Sequence, residues 1–324
     1  MDRSVGSNSM KPAPKGSIGR LPLVARIRPS QIIRGALPRP VMNALREFKL
    51  RILMRGFRNH IVVEQSAEDA LASQTVSIIV PIHDSPAVTR RCLTSLEKYA
   101  TKAEIILVDD GSKLAETRSL IREFVDRNGW RLIQHQNPLG HSLASEAGVK
   151  ISKRPYLCLL NSDTVVTPFC WRLVKEAFER DQSIAVAGPA TSSSGNIQTL
   201  PIAQYLREEL NDYQISQFAL HLLGESRVPI CEDLAWASGF AFFVRRSVWD
   251  QLGGFDQNLP DYGNEIELCR RVADMGHRRV WVSNAYIHHL GGQSYGSSIR
   301  PEGIISRTEA AWAYIAGKER APEA

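Results

Sequence analysis

From Val76 onward, short apolar runs alternate with longer stretches of helical period. VSIIVPI at 76–82 predicts a buried strand and the segment near 87–100 a helix, followed by the strand EIILVDD at 104–110 and a helix near 114–128. WRLIQHQ, a helix near 142–152 and the strand YLCLLN at 156–161 continue the alternation. Strands joined through helices at this spacing predict a mostly parallel sheet covered on both faces. Beyond Pro168 a helix to about Arg180 precedes the strand IAVAGPA, and a mixed, loop-rich stretch then runs to about Cys231. The strand-like AWASGFAFFV, a helix near 265–275 and the strand RRVWVS close the core. No internal repeat interrupts this order.

The start of the chain follows different rules. Residues 1–40 are rich in Ser, Gly, Pro and Arg without a sustained period and predict a flexible basic arm. Across 41–75 the apolar positions Val41, Leu45, Phe48 and Ile52 recur near helical spacing among Arg46, Lys49, Arg51, Arg55 and Arg58. That amphipathic segment suits anionic lipid, an acidic partner, or packing on the domain that follows. A domain over 76–300 and a C-terminal helix or tail over 301–324 complete the expected organisation.

Charge sharpens this division. The net charge is +6, yet residues 1–75 carry 13 Lys and Arg against 5 Asp and Glu, which leaves the remainder slightly acidic. A local surface contact fits this distribution better than nucleic-acid binding. The five cysteines lack metal-type spacing, and their odd number predicts reduced thiols. No apolar run reaches the roughly 20 residues a bilayer span needs, and the start lacks the apolar core of a signal peptide. The expected location is cytoplasmic, with a peripheral position at the cytoplasmic membrane face through residues 41–63.

Candidate chemistry gathers where strands end. LLNSDTVVTP at 159–168 ends an apolar run in a short acidic turn, whose Asp163 is a candidate ligand for a hard cation facing a diphosphate. An Asx-turn or helix cap explains the same residues locally. The first strand ends at Pro81, Ile82, His83 and Asp84 and the second at Asp109, Asp110, Gly111 and Ser112. In a parallel sheet these turns converge, so a carboxylate such as Asp110 could accept from a base N–H or a ribose hydroxyl. A turn followed by a helix cap is the structural alternative for Asp-Asp-Gly-Ser. Gly239, in ASGFAFFV, leaves room for a sugar to approach the backbone. Glu265 and Glu267 are two apart, and on a helix they point in different directions.

Taken together, VSIIVPIHDSPAVTRRCLTSL, EIILVDDGS, LLNSDTVVTP, ASGFAFFVRRSVWDQLGGFD, YGNEIELCRR and IHHLGGQSYG, in that order, resemble the inverting family 2 glycosyltransferases of GT-A fold over about residues 75–296. The resemblance implies an α/β, Rossmann-like GT-A domain with a mostly parallel sheet flanked by helices, here behind a basic N-terminal extension. It implies that Pro81, His83, Asp109 and Asp110 surround a nucleotide. Asp163 would hold a divalent metal, Mn2+ or Mg2+, as the last acid of a DXD-like motif in which Asn161 replaces the first. Glu265 aligns with the catalytic base and Asn264 departs from the preceding acid. The H-x-G-G-x-S spacing selects His289, not His288, as a second metal ligand. Related enzymes contact acceptor in the region that here carries Asn196, Gln198 and Trp236, which makes Trp236 a stacking candidate and the two amides hydroxyl readers. Glu146 stands where many relatives have Asn.

The expected activity is transfer of a sugar, with inversion, from a nucleotide-diphosphate sugar to a hydroxyl of a saccharide or lipid-linked saccharide, in cell-surface polysaccharide or glycoconjugate synthesis. Two other classes share the fold. A sugar-phosphate nucleotidyltransferase would need a Gly-rich phosphate loop bearing Arg and Lys after the first strand, which is missing. An inert carbohydrate-binding or scaffold protein would have little use for Asp163, Glu265 and His289 together.

Overall fold

A computed structural model describes residues 64–200, 210–224, 226–291 and 301–320, with side chains of the last segment described for 308–317. The expected basic arm, the amphipathic segment up to residue 63 and the Gly292-Gln293-Ser294-Tyr295 part of the last motif lie outside the described residues.

Helix α1 (Ala67–Ser73) leads into β1 (Val76–Ile82), α2 (Pro86–Tyr99), β2 (Glu104–Asp110), α3 (Ala115–Asn128), β3 (Arg131–His135), α4 (His141–Ile151) and β4 (Tyr156–Leu160). Then come β5 (Thr164–Val166), α5 (Cys170–Arg180), β6 (Ile184–Ala190), α6 (Asp212–Leu223), β7 (Cys231–Asp233), β8 (Ala241–Arg245), α7 (Arg246–Leu252), α8 (Asn264–Asp274), β9 (Arg278–His289) and α9 (Pro301–Arg320). Among the described residues the strands form one sheet in the order β3-β2-β1-β4-β8-β6-β9-β5, with β7 also paired to β9. The first four strands are parallel, as the alternation predicts. Beyond β4 the sheet turns mixed: β8 runs antiparallel to both β4 and β6, and β6 is parallel to β9. The result is a mixed α/β, Rossmann-like fold with helices packed on both faces of the sheet.

Period-two burial explains why the parallel strands read as continuous apolar runs. On β1, Ile78, Val80 and Ile82 join one buried layer and Ile79 the other; on β2, Ile105 and Leu107 face the first and Ile106 and Val108 the second. Leu93 and Leu96 of α2, Leu120 and Phe124 of α3 and Trp171 and Phe178 of α5 cover the first face. The second is covered by Val149 of α4, Phe218 of α6, Trp249 of α7 and Leu268 of α8. Each such side chain contributes roughly 1.5–3 kcal/mol. Helix α4 lies so close to β1 that a Cβ at Gly148 would collide with Ile79, so bulk there would push the helix off the sheet. All five cysteines are free thiols, four of them buried. Among the described residues no helix is long and apolar enough to cross a membrane.

Two departures from the sequence pattern matter for the cleft. ASGFAFFV enters the sheet only at Ala241, leaving Ser238, Gly239 and Phe240 in the turn before β8. The loop-rich stretch contains α6, started by a capping box in which Asn211 accepts from Gln214 N and the Gln214 side chain accepts from Asn211 N.

Candidate active site

Parallel pairing puts the C-terminal ends of β1, β2 and β4 on one edge, and the loops leaving them interlock. Beyond β1, Asp84 and Ser85 adopt left-handed backbone conformations at φ of 54° and 56°. The Asp84 carboxylate holds them there by accepting from Lys113 N (2.9 Å) and Leu114 N (2.8 Å), while Asp84 N donates to Ser112 Oγ (3.1 Å). His83 Nδ1 donates to the Asp110 carbonyl at 2.8 Å, and Asp109 Oδ1 accepts from Ser112 N at 3.0 Å. Gly111, at φ 68°, lies where a Cβ would come within 2.6 Å of Pro138 N. Pro81 pairs with Val108 and Ile82 with Asp109 across the two strands.

Asp110 is buried, and its oxygens are largely used within the protein. Oδ1 accepts from Leu139 N (2.9 Å) and His135 Nδ1 (2.8 Å), and Oδ2 from Gly140 N (3.0 Å). Three of the roughly four acceptor positions of a carboxylate are thereby filled. Asp110 here fastens the 137–140 loop, where the sequence suggested a base or ribose contact.

The acidic turn is joined directly to the end of β9. Thr164 pairs with His289 in register, and Leu290 N donates to the Asp163 carbonyl at 3.0 Å. The side chains follow: His289 Nε2 lies 3.3 Å from Oδ1 of Asp163, which is fully buried. The other ring nitrogen, Nδ1, lies 2.6 Å from the Ser193 carbonyl, an acceptor, and so carries a proton. Nε2 is thereby left to face the carboxylate oxygen, and a cation held between the two would bind both. Phe240 stacks on the imidazole at 5.3 Å between centroids and holds its plane. The Nδ1–carbonyl bond is the usual orienting contact of a ligating histidine. These two donors, nitrogen and carboxylate oxygen, fit a divalent cation such as Mn2+. Among the described residues no group of three or more His, Cys, Asp or Glu is placed to hold a metal ion. A two-ligand site that leaves the remaining positions to phosphate and water suits Mg2+ chemistry. His288 points away, fully buried and bonded through Nδ1 to Tyr286 Oη at 2.8 Å. Asn161 is held by its backbone, donating to the Phe240 carbonyl at 2.9 Å.

Glu265 stands in the first turn of α8, after Gly263 at φ 80°. Burial pushes its carboxyl from the ordinary 4.5 up to about 7, a shift only partly offset by its own backbone N–H. Its carboxyl fills the space in front of Gly239, where a Cβ would collide with Oε1. The space at Gly239, where the sequence suggests the approach of a sugar, here holds the Glu265 carboxyl. Glu267 has a separate task. It is 1% exposed and bonds Arg271 in bidentate fashion at 2.7 to 3.0 Å, while Arg271 also donates to the Leu252 and Gly254 carbonyls.

The tentative acceptor residues build a loop. Gln198 is fully buried; its Nε2 donates to the Pro189 carbonyl (2.9 Å) and its Oε1 accepts from Ser238 N (2.8 Å). Asn196 Nδ2 donates to the Trp236 carbonyl (2.9 Å) and to Gln198 Oε1 (3.1 Å). Their amides tie 194–199 to 236–238. The Trp236 ring packs over Gly195, where a Cβ would be 3.3 Å away. Glu146 lies on α4 against Gly254, and burial raises its carboxyl.

Two residues at the start of α4 escaped the sequence reading. His141 is bonded to the Asn161 side chain and lies within electrostatic reach of Asp261, Asp110 and Asp163; burial nevertheless lowers its pKa, so the ring is neutral near pH 7. Ser142 is 1% exposed and bonds to the loop that carries Glu265. The helical period over 142–152 marked this helix but held no sign of what its first turn touches.

Residues 77–231 match the Glycosyl transferase family 2 model. The O-antigen biosynthesis protein RfbC of Myxococcus xanthus is 26% identical over 241 residues, covering 70% of this chain and 18% of RfbC. The probable glycosyltransferase YdaM of Bacillus subtilis is 22% identical over 71% of this chain and 55% of its own length. An N-acetylglucosaminyl-diphospho-decaprenol L-rhamnosyltransferase of Mycobacterium tuberculosis is 34% identical over 68 residues, about a fifth of each chain. The chain thus spans well under two thirds of these relatives. Among solved structures, the mannosyltransferase PcManGT from Pyrobaculum calidifontis, in complex with GDP-Man and Mn2+, aligns with a TM-score of 0.53 at 14% identity over 88% of this chain and 74% of its own. GalNAc-T7 with UDP, GalNAc and Mn2+ aligns at 0.55 and 15% identity over 75% and 47%. The family match covers just under half of this chain, and the solved structures share its GT-A fold.

Proposed function

We propose that the protein transfers a sugar with inversion from a nucleotide-diphosphate sugar to a hydroxyl of a saccharide or lipid-linked saccharide, with Glu265 as the general base. The observation that carries this reading is a carboxyl raised by desolvation to about 7 and packed against Gly239, next to Phe240, whose ring stacks on His289 of the Asp163–His289 pair. A base that titrates near the working pH balances availability against strength. Glu265 takes the proton of the acceptor hydroxyl as its oxygen bonds to C1 of the donor sugar; the bond from C1 to the diphosphate breaks on the opposite face. Asp163 and His289 would hold a divalent cation, Mn2+ or Mg2+, which would supply positive charge against the leaving diphosphate.

The remaining residues prepare the cleft. The interlocked turns at His83–Ser85 and Asp109–Ser112, with Pro81 behind them, form the nucleotide side. Asp110 acts there by holding Leu139 and Gly140, and Asn161 by placing the acidic turn against Phe240. Asn196 and Gln198 support the acceptor side beneath Trp236, whose partly exposed indole offers a stacking surface. The PcManGT and GalNAc-T7 complexes, which hold nucleotide or nucleotide sugar and Mn2+ in the same fold, support this assignment. The O-antigen protein among the relatives supports a role in cell-surface polysaccharide or glycoconjugate synthesis. The basic segment 41–63 would meet the cytoplasmic face of the membrane.

Product stereochemistry tests the mechanism. A donor screen with Mn2+ selects the sugar nucleotide, and proton NMR of the transferred sugar then reads its anomeric configuration. Inversion is the expected result, and retention would overturn single displacement.

A further inference from the structure

Between the nucleotide side of the cleft and Glu265 runs a short chain of buried hydrogen bonds. It begins at Asp110, whose carboxylate holds Leu139 N and Gly140 N at 2.9 and 3.0 Å. Two residues on, Ser142 makes three bonds to the loop leading into α8. Its N–H donates to the Pro260 carbonyl (2.8 Å), its hydroxyl donates to the Leu259 carbonyl (2.6 Å), and the same oxygen accepts from Asn264 Nδ2 (2.7 Å). Asn264, fully buried, accepts through Oδ1 from Glu265 N at 3.0 Å. The connection has little slack: a Cβ at Gly140 would come within 2.9 Å of Asp261 Oδ1.

We infer that Ser142 is a positioning residue: through Asn264 it fixes the first turn of α8, and so the Glu265 carboxyl, to the loop that Asp110 holds on the nucleotide side. The catalytic part of this inference rests on the proposal that Glu265 is the base. The hydroxyl of Ser142 has one proton to give and gives it to Leu259, so the Asn264 amide must donate back and its orientation is set. That orientation leaves Asn264 Oδ1 facing the Glu265 N–H. An alanine at 142 removes the acceptor of the buried Asn264 amide, and the first turn of α8 loses its anchor. The position thus uses both ends of an amide: Asn264 donates to Ser142 and accepts from Glu265.

The test compares Ser142→Ala, Asn264→Ala, the double variant and Glu265→Gln in the full chain. Hydrogen exchange is measured first, without substrate. Amides of 259–266 should exchange faster in Ser142→Ala than in the wild type while those of β2 do not change; unchanged exchange at 259–266 overturns the link whatever the reaction. With the screened sugar nucleotide, kcat should fall about 10-fold or more, since small misplacements of reacting groups cost up to about 100-fold, while the donor Kd from calorimetry stays within about threefold. The midpoint of the pH–rate profile should move down as the loosened base becomes more hydrated, which a purely structural role would not cause. The double variant should lose no more than the worse single variant, and multiplicative losses would overturn a shared path. Should Glu265→Gln turn over normally, the base assignment fails; should it be inactive while Ser142→Ala keeps the wild-type rate and midpoint, the Ser142 inference fails alone.

Discussion

The carboxyl of Glu265 rests against the α-carbon of Gly239, in space that a single methyl group would occupy. Gly239 has an ordinary backbone conformation, so Gly239→Ala should fold. Its Cβ would displace the carboxyl, and we expect kcat to fall about 100-fold with donor binding within a few-fold of wild type. Steady-state kinetics beside calorimetry of donor binding check this, with circular dichroism to verify folding.

The raised pKa of Glu265 has consequences for rate and stability of opposite sign. The base form is lost below pH 7, so kcat/KM should climb about tenfold per pH unit up to about pH 7 and then level. The folded state holds this proton more tightly than the unfolded state, whose carboxyl titrates near 4.5. The stabilisation is therefore complete below about pH 4.5 and lost as pH rises to about 7. Glu265→Gln removes that dependence, and should raise Tm by a few degrees at pH 8 relative to wild type but not at pH 4.5. Thermal melts at the two pH values read the difference.

How much of this was legible from sequence differs between elements. β1, β2 and β4 end at Ile82, Asp110 and Leu160, close to where their apolar runs stop, because burial on both faces leaves little doubt about a strand's extent. β5 was missed: three residues behind Asn161-Ser162-Asp163 carry too little pattern, and its pairing with β9 is long-range. β9 runs on through Asn284 to His289, past the end that its apolar pattern suggested, because its partners on both sides satisfy the backbone there. In the cleft, the resemblance to family motifs singled out Asp163, Glu265 and His289. It could not reveal that Asp110, Asn196 and Gln198 spend their polar atoms on loops, since those partners are set by tertiary contacts. The same holds for Ser142, whose bonds reach across 117 and 122 residues of sequence.

Cation binding should depend on the two facing side chains. Calorimetric titration of Mn2+ in the presence of nucleoside diphosphate should show binding in wild type and none in Asp163→Ala. His289→Ala should weaken it by at least about tenfold, the lower bound for losing even an orienting contact. Chelation by EDTA should abolish turnover and added Mn2+ should restore it.

Glu267 should prove structural. It is buried against Arg271, so Glu267→Gln leaves a guanidinium short of its charge partner and should cost roughly 3 kcal/mol of stability. Urea unfolding measures the loss. At a temperature where the variant is folded, its donor Kd should match wild type, in contrast to the Asp163 variant.

The central claim, that Glu265 is the base of a sugar-transfer reaction, is tested most directly by release of nucleoside diphosphate from the screened donor, with acceptor present, in wild type and Glu265→Gln side by side. The variant should bind donor as wild type does and turn over roughly 100- to 10,000-fold more slowly. Wild-type turnover in Glu265→Gln would contradict it.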